Sequence, residues 1–331
     1  MSQNGRKLRW GILGVAKIND RLKPAFQASA TVALHAIASR SLERSQAAAR
    51  DLGCAMAYGT YEELLADRTI DAVYIPLPNS LHAEWTRKAA DHGKHVLCEK
   101  PLCPSASEAA DLVAYCRAKG VRLMDGFMWP HHPRTRAMRK LIDDGAIGEV
   151  QRVTAAFTFR MDPLTADNIR LQTGLGGGSL LDVGCYPIFG IRWAFGAEPV
   201  KVFARANMFN GVDVEMTGQL LFADGRMASF DCGFTLPFRG GMEVTGSQGV
   251  IRIPEMWLPK QNATFEVESD GQAPIGHSIE GHDQIVHMLD DFAAAIWEER
   301  DPWPAPDEAV KTLRVLDALA RSAREGREVE V

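Results

Sequence analysis

The sequence predicts an α/β protein of two domains, an N-terminal domain built on a parallel sheet and a C-terminal α+β domain with a large open, mainly antiparallel sheet. The chain has 331 residues, and a domain takes roughly 150. Its first third alternates short apolar runs with amphipathic segments, as buried parallel strands and their crossover helices do. From about residue 150, strand-like runs are separated by Asp-Gly and Gly-Gly turns. We place the domains at 1–126 and 127–331.

The N-terminal elements follow from these apolar runs. Strands are predicted over 8–15, 32–38, 72–76, 95–98 and 121–124. Helices are predicted over 41–52, 80–92 and 105–119. Ser80 and Ser105 are good N-caps for the last two helices, and Gly93 and Gly120 are good stops.

The C-terminal domain reads as antiparallel sheet followed by helices. Strands are predicted over 150–159, 200–207, 215–222, 226–232, 242–245 and 250–253. Asp224-Gly225 is the clearest hairpin signal between two of them. Two helices, 282–299 and 307–324, are predicted to close the chain.

The composition excludes several classes of protein. The formal net charge is −5 and no basic stripe is present, which argues against a nucleic-acid partner. No run of 18 apolar residues exists that would cross a membrane. Residues 1–10 lack the apolar core of a secretory signal. The six cysteines are scattered, as in free thiols of a cytoplasmic protein.

The first strand runs into a glycine turn that can hold a pyrophosphate. The residues concerned are Gly11, Gly14, Val15, Ala16, Lys17 and Ile18. Bare backbone followed by a helix N-terminus favours phosphate oxygens. Ala16 and Asn19 stand where the usual second and third glycines would be. An ordinary tight strand–helix turn is the alternative.

The end of the second strand predicts the choice of cofactor. NAD enzymes usually place an acid there, to bind the ribose 2′-hydroxyl. Here the position holds Ser39 and Arg40, a hydroxyl and a guanidinium that suit a 2′-phosphate. We therefore expect NADP in preference to NAD. A solvated arginine at a helix start is the alternative.

Two further segments contain side chains that are suited to catalysis. Lys100 follows the strand 95–98, where open α/β sheets bind ligands, and can polarise an oxygen; a surface lysine is the alternative. A helix is predicted over 180–195, with Ser179 as its cap and a bend caused by Pro187. Asp182 and Tyr186 would share one face of that helix, either as a site or as a hydrogen-bonded core pair.

No metal site is predicted. His131 and His132 are adjacent, and the later histidines at 277, 282 and 287 are spaced by five. Ligands on one helical face need a spacing of three or four. A serine-nucleophile elbow is also absent from the sequence.

Taken together, the motifs resemble the glucose–fructose oxidoreductase / inositol dehydrogenase / MocA (Gfo/Idh/MocA) family of NAD(P)-dependent dehydrogenases. The Phe127-Met-Trp129 and Gly184-Cys-Tyr-Pro187 versions look most like its dihydrodiol dehydrogenase / D-xylose dehydrogenase branch. The matching segments span most of the chain in family order: Gly11 to Ala16, Pro76 to His82, Cys98 to Leu102, Gly126 to Trp129, Gly178 to Pro187 and Leu313 to Ala318.

The resemblance implies a Rossmann domain, an open-faced C-terminal sheet and catalysis in the cleft between them. It implies that Lys100 and Tyr186 form the catalytic pair, with Asp182 nearby. Residues on the cofactor side would be Pro76, Leu77, Asn79, His82, Glu99, Lys100 and Pro101. Phe127 and Trp129 would bind substrate together with Asp182 and Tyr186. Pro130 departs from relatives that carry a basic residue there.

We therefore expect an NADP-dependent oxidoreductase that acts on a CH–OH or carbonyl group of a sugar or trans-dihydrodiol. The alternatives are a non-catalytic NADP-binding regulator of the same fold and an oxidoreductase that recycles a tightly bound cofactor. A homodimer or homotetramer is expected through the C-terminal sheet, because its uncovered face is predicted to be apolar.

Overall fold

The computed structural model describes residues 6–281 and 283–331, which form two compact units. The first comprises the residues up to Phe127 together with Ile285–Val310. The second comprises Met128–Gln284 and Lys311–Val331. The break between Phe127 and Met128 lies next to the expected boundary.

The strands of the described residues form two sheets. In chain order they are β1 (Leu8–Leu13), β2 (Val32–Ala38), β3 (Met56–Tyr58), β4 (Ala72–Ile75), β5 (His95–Cys98), β6 (Leu123–Asp125), β7 (Val150–Thr158), β8 (Pro199–Phe209), β9 (Val212–Phe222), β10 (Met227–Gly233), β11 (Met242–Gly246), β12 (Gly249–Ile253), β13 (Asn262–Ser269), β14 (Ile275–Glu280) and β15 (Val329–Glu330).

The helices of the described residues surround these sheets. In chain order they are α1 (Asn19–Ala28), α2 (Leu42–Leu52), α3 (Tyr61–Ala66), α4 (His82–Asp91), α5 (Ala106–Ala118), α6 (Pro133–Asp143), α7 (Cys185–Phe195), α8 (Gln284–Trp297) and α9 (Pro306–Glu325). A π-helical turn, Leu180–Gly184, leads directly into α7.

The sheet of the first unit is parallel, with the order β3-β2-β1-β4-β5-β6 among the described strands. This is the strand order of a dinucleotide-binding Rossmann domain, in which the topological switch lies between β1 and β4. The five predicted strands are all present. The edge strand β3 was not predicted, because a run of three residues, of which Met56 is exposed, is too short to stand out in the sequence.

The predicted starts and stops of α4 and α5 agree with the structure, except at the start of α4. Ser105 caps α5 by accepting a hydrogen bond from Glu108 N, and Gly93 and Gly120 adopt φ of +70°, as expected of helix stops. Ser80 does not cap α4, because a 3₁₀ turn over Asn79–Leu81 precedes that helix.

Helix α8 belongs to the first unit, although we assigned its residues to the second domain. Phe292 packs edge-to-face on Trp10 of β1, with ring centroids 5.5 Å apart. Asp290 accepts a hydrogen bond from Ser29 Oγ at 2.6 Å. Helical periodicity identifies the apolar face of such a segment but not the sheet that this face covers. The predicted helix start at 282 lies outside the described residues.

The sheet of the second unit is mixed. Its order is β14-β13-β12-β11-β7-β10-β9-β8-β15 among the described strands. All neighbours pair antiparallel except β7 and β10, which are parallel. The predicted Asp224-Gly225 hairpin joins β9 to β10, and Gly225 has a φ of +87°. Strands β13, β14 and β15 were not predicted.

The outward face of this sheet is polar at its centre, so the expected uncovered apolar face is wrong there. Thr154, Thr217, Ser229 and Asp231 are half-buried or exposed, whereas their neighbours along each strand are buried. Large exposed apolar side chains lie instead towards the strand ends, at Val200, Met208, Met227 and Ile275. Alternation along a strand separates two faces but does not say which is covered.

None of the helices described here is long and apolar enough to cross a membrane.

Candidate active site

The glycine turn after β1 requires glycine and is tied to the start of α1. Gly14 has a φ of +130°, which side chains rarely adopt, and a Cβ there would lie 3.1 Å from Leu77 Cδ2. Asn19 Nδ2 donates to Gly14 O at 2.9 Å. Asn19 thus stabilises the turn through a side-chain bond that the usual third glycine cannot make. No side chain caps the start of α1.

Two arginines with no side-chain partner among the described residues stand beside this turn. Arg40 and Arg44 are both exposed, and both guanidinium charges act to lower the pKa of Tyr61, although burial raises it overall. The Tyr61 hydroxyl in turn lies 3.9 Å from the Cβ position of Gly14. Ser39 is buried at the end of β2, and its Oγ accepts from Ser41 N. Sequence reasoning did not identify Arg44, because it lies one helical turn after Arg40, the position where a phosphate-binding side chain was expected.

His82 joins the loops that follow β4 and β5. Its Nδ1 lies 2.9 Å from Pro101 O and its Nε2 lies 2.7 Å from Leu77 O. Burial lowers the pKa of this imidazole, and the nearby Lys100 charge lowers it further. The neutral ring donates to one of the two carbonyls. The predicted segments around Leu77 and Pro101 are therefore held together.

Glu99 and Lys100 follow β5, where each is half-buried. The Tyr74 hydroxyl donates a short hydrogen bond to Glu99 Oε1. Asp125, at the end of the adjacent strand β6, pairs in register with Cys98. Glu99 and Lys100 both act electrostatically on its carboxyl. Sequence reasoning did not identify Asp125, because a single acid at a strand end forms no motif.

In the second unit, Asp182 lies in the π-helical turn before α7. Asp182 Oδ2 accepts a hydrogen bond from Arg170 Nε at 2.7 Å. Arg170 O accepts from Gly178 N at 2.9 Å. Pro187 supplies no N–H for the preceding turn, and π turns frequently occur at functional sites. The turn before α7 is therefore widened, and the bend near Tyr186 stays a prediction.

Asp213 anchors the start of the same turn. Its Oδ2 accepts from Ser179 Oγ and from Leu180 N, each at 2.6 Å. Ser179 makes no capping bond, so its predicted role was wrong: its hydroxyl donates to the half-buried carboxylate of Asp213 on β9 instead. A Cβ on Gly178 would lie 2.5 Å from Asp213 Oδ1, which explains a glycine there.

Tyr186 is buried against aromatic rings. Its ring centroid lies 5.0 Å from Phe157 and 6.1 Å from Trp257. Trp129 is fully buried and packs on Trp257 with a centroid distance of 5.7 Å. Trp129 therefore supports the ring that flanks Tyr186, and its direct contact with substrate stays a prediction. Phe127 is also buried, within the first unit.

No group of three His, Cys, Asp or Glu side chains that could hold a metal ion occurs within 6–281 and 283–331. Metal-independent catalysis stays a prediction.

Both units match families of known proteins. Residues 8–127 match the oxidoreductase family with an NAD-binding Rossmann fold. Residues 135–252 match the Gfo/Idh/MocA C-terminal domain. The division agrees with the two compact units.

Curated relatives cover most of the chain. The NADP(+)-dependent D-xylose 1-dehydrogenase 2 of Haloferax volcanii is 39% identical, over 98% of this chain and 100% of that protein. The trans-1,2-dihydrobenzene-1,2-diol dehydrogenase of Xenopus tropicalis is 32% identical, over 76% of this chain and 77% of its own. Both names belong to the branch that the motifs resemble.

Solved structures share the fold across both units. The aldose-aldose oxidoreductase of Caulobacter crescentus, complexed with glycerol, superimposes with a TM-score of 0.91 at 30% identity, covering 98% of this chain and 100% of that one. The 3-ketoreductase KijD10 of Actinomadura kijaniata, complexed with NADP and TDP-benzene, gives 0.89 at 32% identity, covering 96% and 98%. With its two matched domains and full-length relatives, the chain belongs to the Gfo/Idh/MocA family of oxidoreductases.

Proposed function

We propose that the chain is an NADP-dependent oxidoreductase that transfers a hydride between the nicotinamide and a CH–OH or carbonyl group of a sugar or trans-dihydrodiol. The choice of NADP as the cofactor rests on the arrangement of Arg40 and Arg44. Both guanidinium groups lack a protein partner among the described residues and act on the same tyrosine beside the glycine turn. Such a pair suits a 2′-phosphate.

The residues of the first unit fit this cofactor. The backbone at Gly14 would face the pyrophosphate, and Ser39 with the two arginines would hold the 2′-phosphate. Because the second strand takes the adenosine ribose, the nicotinamide half falls to β4, β5 and β6. When bound, the cofactor accepts or supplies the hydride.

The protein must then move the hydroxyl proton, and we assign this to Lys100 and Tyr186. A free tyrosine has a pKa of about 10, so it needs a nearby cation to act near neutrality. We assign this role to Lys100, which would act either as the cation or as the proton carrier itself. Interacting groups of this kind titrate as a unit. Variants of KijD10 with a tyrosine changed to phenylalanine, or a lysine changed to alanine or glutamate, have been crystallised.

Asp182 and Arg170 are proposed to orient the substrate. The carboxylate accepts hydrogen bonds, and the two terminal nitrogens of Arg170 have no protein partner among the described residues. Together they offer acceptors and donors to the neighbouring hydroxyls of a sugar or diol. In this proposal, Arg170 contributes the cation that Pro130 does not.

A substrate screen tests the proposal. Purified protein is mixed with NADP or NAD and with aldopentoses, aldohexoses, inositols and trans-dihydrodiols, and formation of reduced nicotinamide is followed by absorbance. We expect turnover with one of these classes and a preference for NADP. Binding of NADP without turnover of any of them, in either direction, would favour a regulatory protein instead.

A second candidate is an enzyme that recycles a tightly held cofactor, oxidising one sugar and reducing another. The structural likeness to an aldose-aldose oxidoreductase over 98% of the chain supports it. Such an enzyme would carry NADP(H) through gel filtration, and its absorbance spectrum would show the bound nucleotide. Protein that emerges free of nucleotide would count against this candidate.

We also propose that the chain is a cytoplasmic homo-oligomer. All six cysteines lie within the described residues and none is in a disulfide, as expected of a reducing compartment. The outer face of the second unit's sheet, with its polar centre and apolar ends, is the proposed interface. Its exposed apolar side chains, such as Met208 and Met227, would be covered there.

A further inference from the structure

Asp125 ends β6 with a carboxyl oxygen that has no partner. Its Oδ1 is buried and forms no hydrogen bond. The following residue, Gly126, donates its N–H to Cys98 O at 2.7 Å, which fixes the end of β6 against β5. A Cβ on Gly126 would lie 3.4 Å from Glu99 Oε1, and the Glu99 charge acts on the Asp125 carboxyl, so the Glu99 side chain lies close to Asp125. Two carboxyl groups therefore share one half-buried corner of the sheet.

The charges around Asp125 decide which acid holds a proton. Burial and, to a smaller extent, the Glu99 carboxylate raise the pKa of Asp125 to about 8, against the opposing effects of the Lys100 ammonium and the Gly126 N–H. Glu99 has a hydrogen-bond donor in Tyr74, whereas Asp125 Oδ1 has none. The thiols of Cys98 and Cys103 also face this corner, and burial raises the pKa of both, so they stay neutral.

The charges at this corner of the sheet cancel when only one of the two carboxyl groups is ionised. Glu99 and Lys100 act on Asp125 with charges of opposite sign, and an ionised Asp125 would add a second, uncompensated negative charge to a buried place. A further cation at the corner would reverse that preference. The carboxyl ends of β4, β5 and β6 are where the nicotinamide half of a dinucleotide binds in this topology. The oxidised ring carries a positive charge, and the reduced ring carries none.

We propose that Asp125 is the proton-linked electrostatic partner of the oxidised nicotinamide, protonated in the free protein and ionised when NADP⁺ binds. The inference rests on the proposed function. The carboxylic acid loses its O–H proton to solvent as NADP⁺ binds, and the resulting carboxylate faces the cationic ring. When hydride transfer neutralises the ring, the carboxylate takes a proton back. Asp125 would thus favour the oxidised cofactor more strongly as the pH rises.

The test compares proton release on binding NADP⁺ and NADPH. Titration calorimetry at pH 7, in buffers of different ionisation enthalpy, measures protons released per cofactor bound. The 2′-phosphate and pyrophosphate are common to both cofactors, so their contributions cancel in the difference. We expect NADP⁺ to release close to one proton more than NADPH. The affinity for NADP⁺ relative to NADPH should rise by up to about tenfold per pH unit below about pH 8.

Two variants identify the source of that proton. Asp125→Asn keeps the shape without the acid, and it should abolish both the extra proton and the pH dependence of the affinity ratio. Asp91→Asn is the matched control, because Asp91 is exposed and its pKa is lowered by Lys119 and Tyr115, so it is ionised throughout. Extra proton release that persists in Asp125→Asn would assign it to Lys100 or another group and overturn the proposal.

A measurement on the unaltered protein covers the case in which Asp125→Asn does not fold. The infrared difference spectrum should lose a protonated-carboxyl C=O band on adding NADP⁺, and not on adding NADPH. Equal proton release and equal spectra with both cofactors would reject the role of Asp125 while leaving the oxidoreductase proposal intact. Failure to bind either cofactor would reject both.

Discussion

Cofactor choice is decided at the level of single side chains. Arg40 and Arg44 offer two guanidinium groups without a protein partner among the described residues, and each can form charge-assisted bonds to a phosphate. We expect Arg40→Asp to raise the apparent KM for NADP much more than that for NAD, with Arg44→Ala acting in the same direction. Arg50→Ala, at the exposed far end of α2, is the control. Wild-type protein that prefers NAD would contradict this prediction.

In the proposed function, proton transfer depends on two other side chains. A positioned acid–base contributes about 10²–10⁴-fold to turnover. Lys100→Met and Tyr186→Phe should therefore each lower kcat by at least about 10²-fold, while the affinity for NADP, read by fluorescence quenching, stays within a few-fold. If only Tyr186→Phe is silent, the tyrosine is a core residue and Lys100 alone handles the proton. Normal turnover by both variants would remove the assignment.

Asp125 also makes stability depend on pH. Its pKa is raised to about 8 in the folded protein, against about 3.9 in an unfolded chain. The unfolded state therefore loses this proton first, and the folded state loses relative stability as the pH rises from about 4 to about 8. We expect Asp125→Asn to raise Tm relative to wild type more at pH 8 than at pH 5. A difference in Tm that is the same at both pH values would speak against a buried, protonated Asp125.

At the scale of elements, the π-helical turn before α7 depends on the half-buried carboxylate of Asp213. Asp213 accepts bonds from Ser179 Oγ and Leu180 N, and each donor left unpaired costs about 1–3 kcal/mol. Asp213→Ala should lower Tm clearly and reduce kcat, because Asp182 and Tyr186 follow the released turn. Gln219→Ala, at an exposed position of the same strand, should change neither. An unchanged kcat in a folded Asp213→Ala protein would show that the anchor does not position the site.

At the scale of the whole molecule, we expect self-association. In the second unit, Val200, Met208 and Met227 expose large apolar side chains towards the ends of their strands, and exposed apolar groups of this kind favour an interface. Light scattering at micromolar concentration should give a mass that is a multiple of 36.3 kDa. Met208→Glu together with Met227→Glu should shift it towards the monomer. A wild-type mass of one chain would refute the prediction.

Local patterns made several parts of this protein predictable. Parallel strands buried on both faces read as uniform apolar runs, so β1, β2, β4, β5 and β6 were all found. Gly14 could be identified because a strand that runs directly into a tight turn needs the backbone conformation that glycine adopts. The Asp224-Gly225 hairpin could be identified because such turns need a positive φ. Lys100, Asp182 and Tyr186 were identified from motifs in family order, and their catalytic roles stay predictions.

Other features of the fold and the site were decided by the tertiary structure alone, because these features depend on contacts between residues that are distant in sequence. Ser179 reads as a helix cap until Asp213, thirty-four residues later, takes its hydroxyl. Helix α8 reads as part of the second domain until Phe292 packs on Trp10. Asp125 is one acid among many in the sequence, and its pKa is raised only because the folded chain buries its carboxyl close to Glu99. Periodicity and turn chemistry are local and can be read along the chain, whereas burial and charge environment arise when separate elements meet.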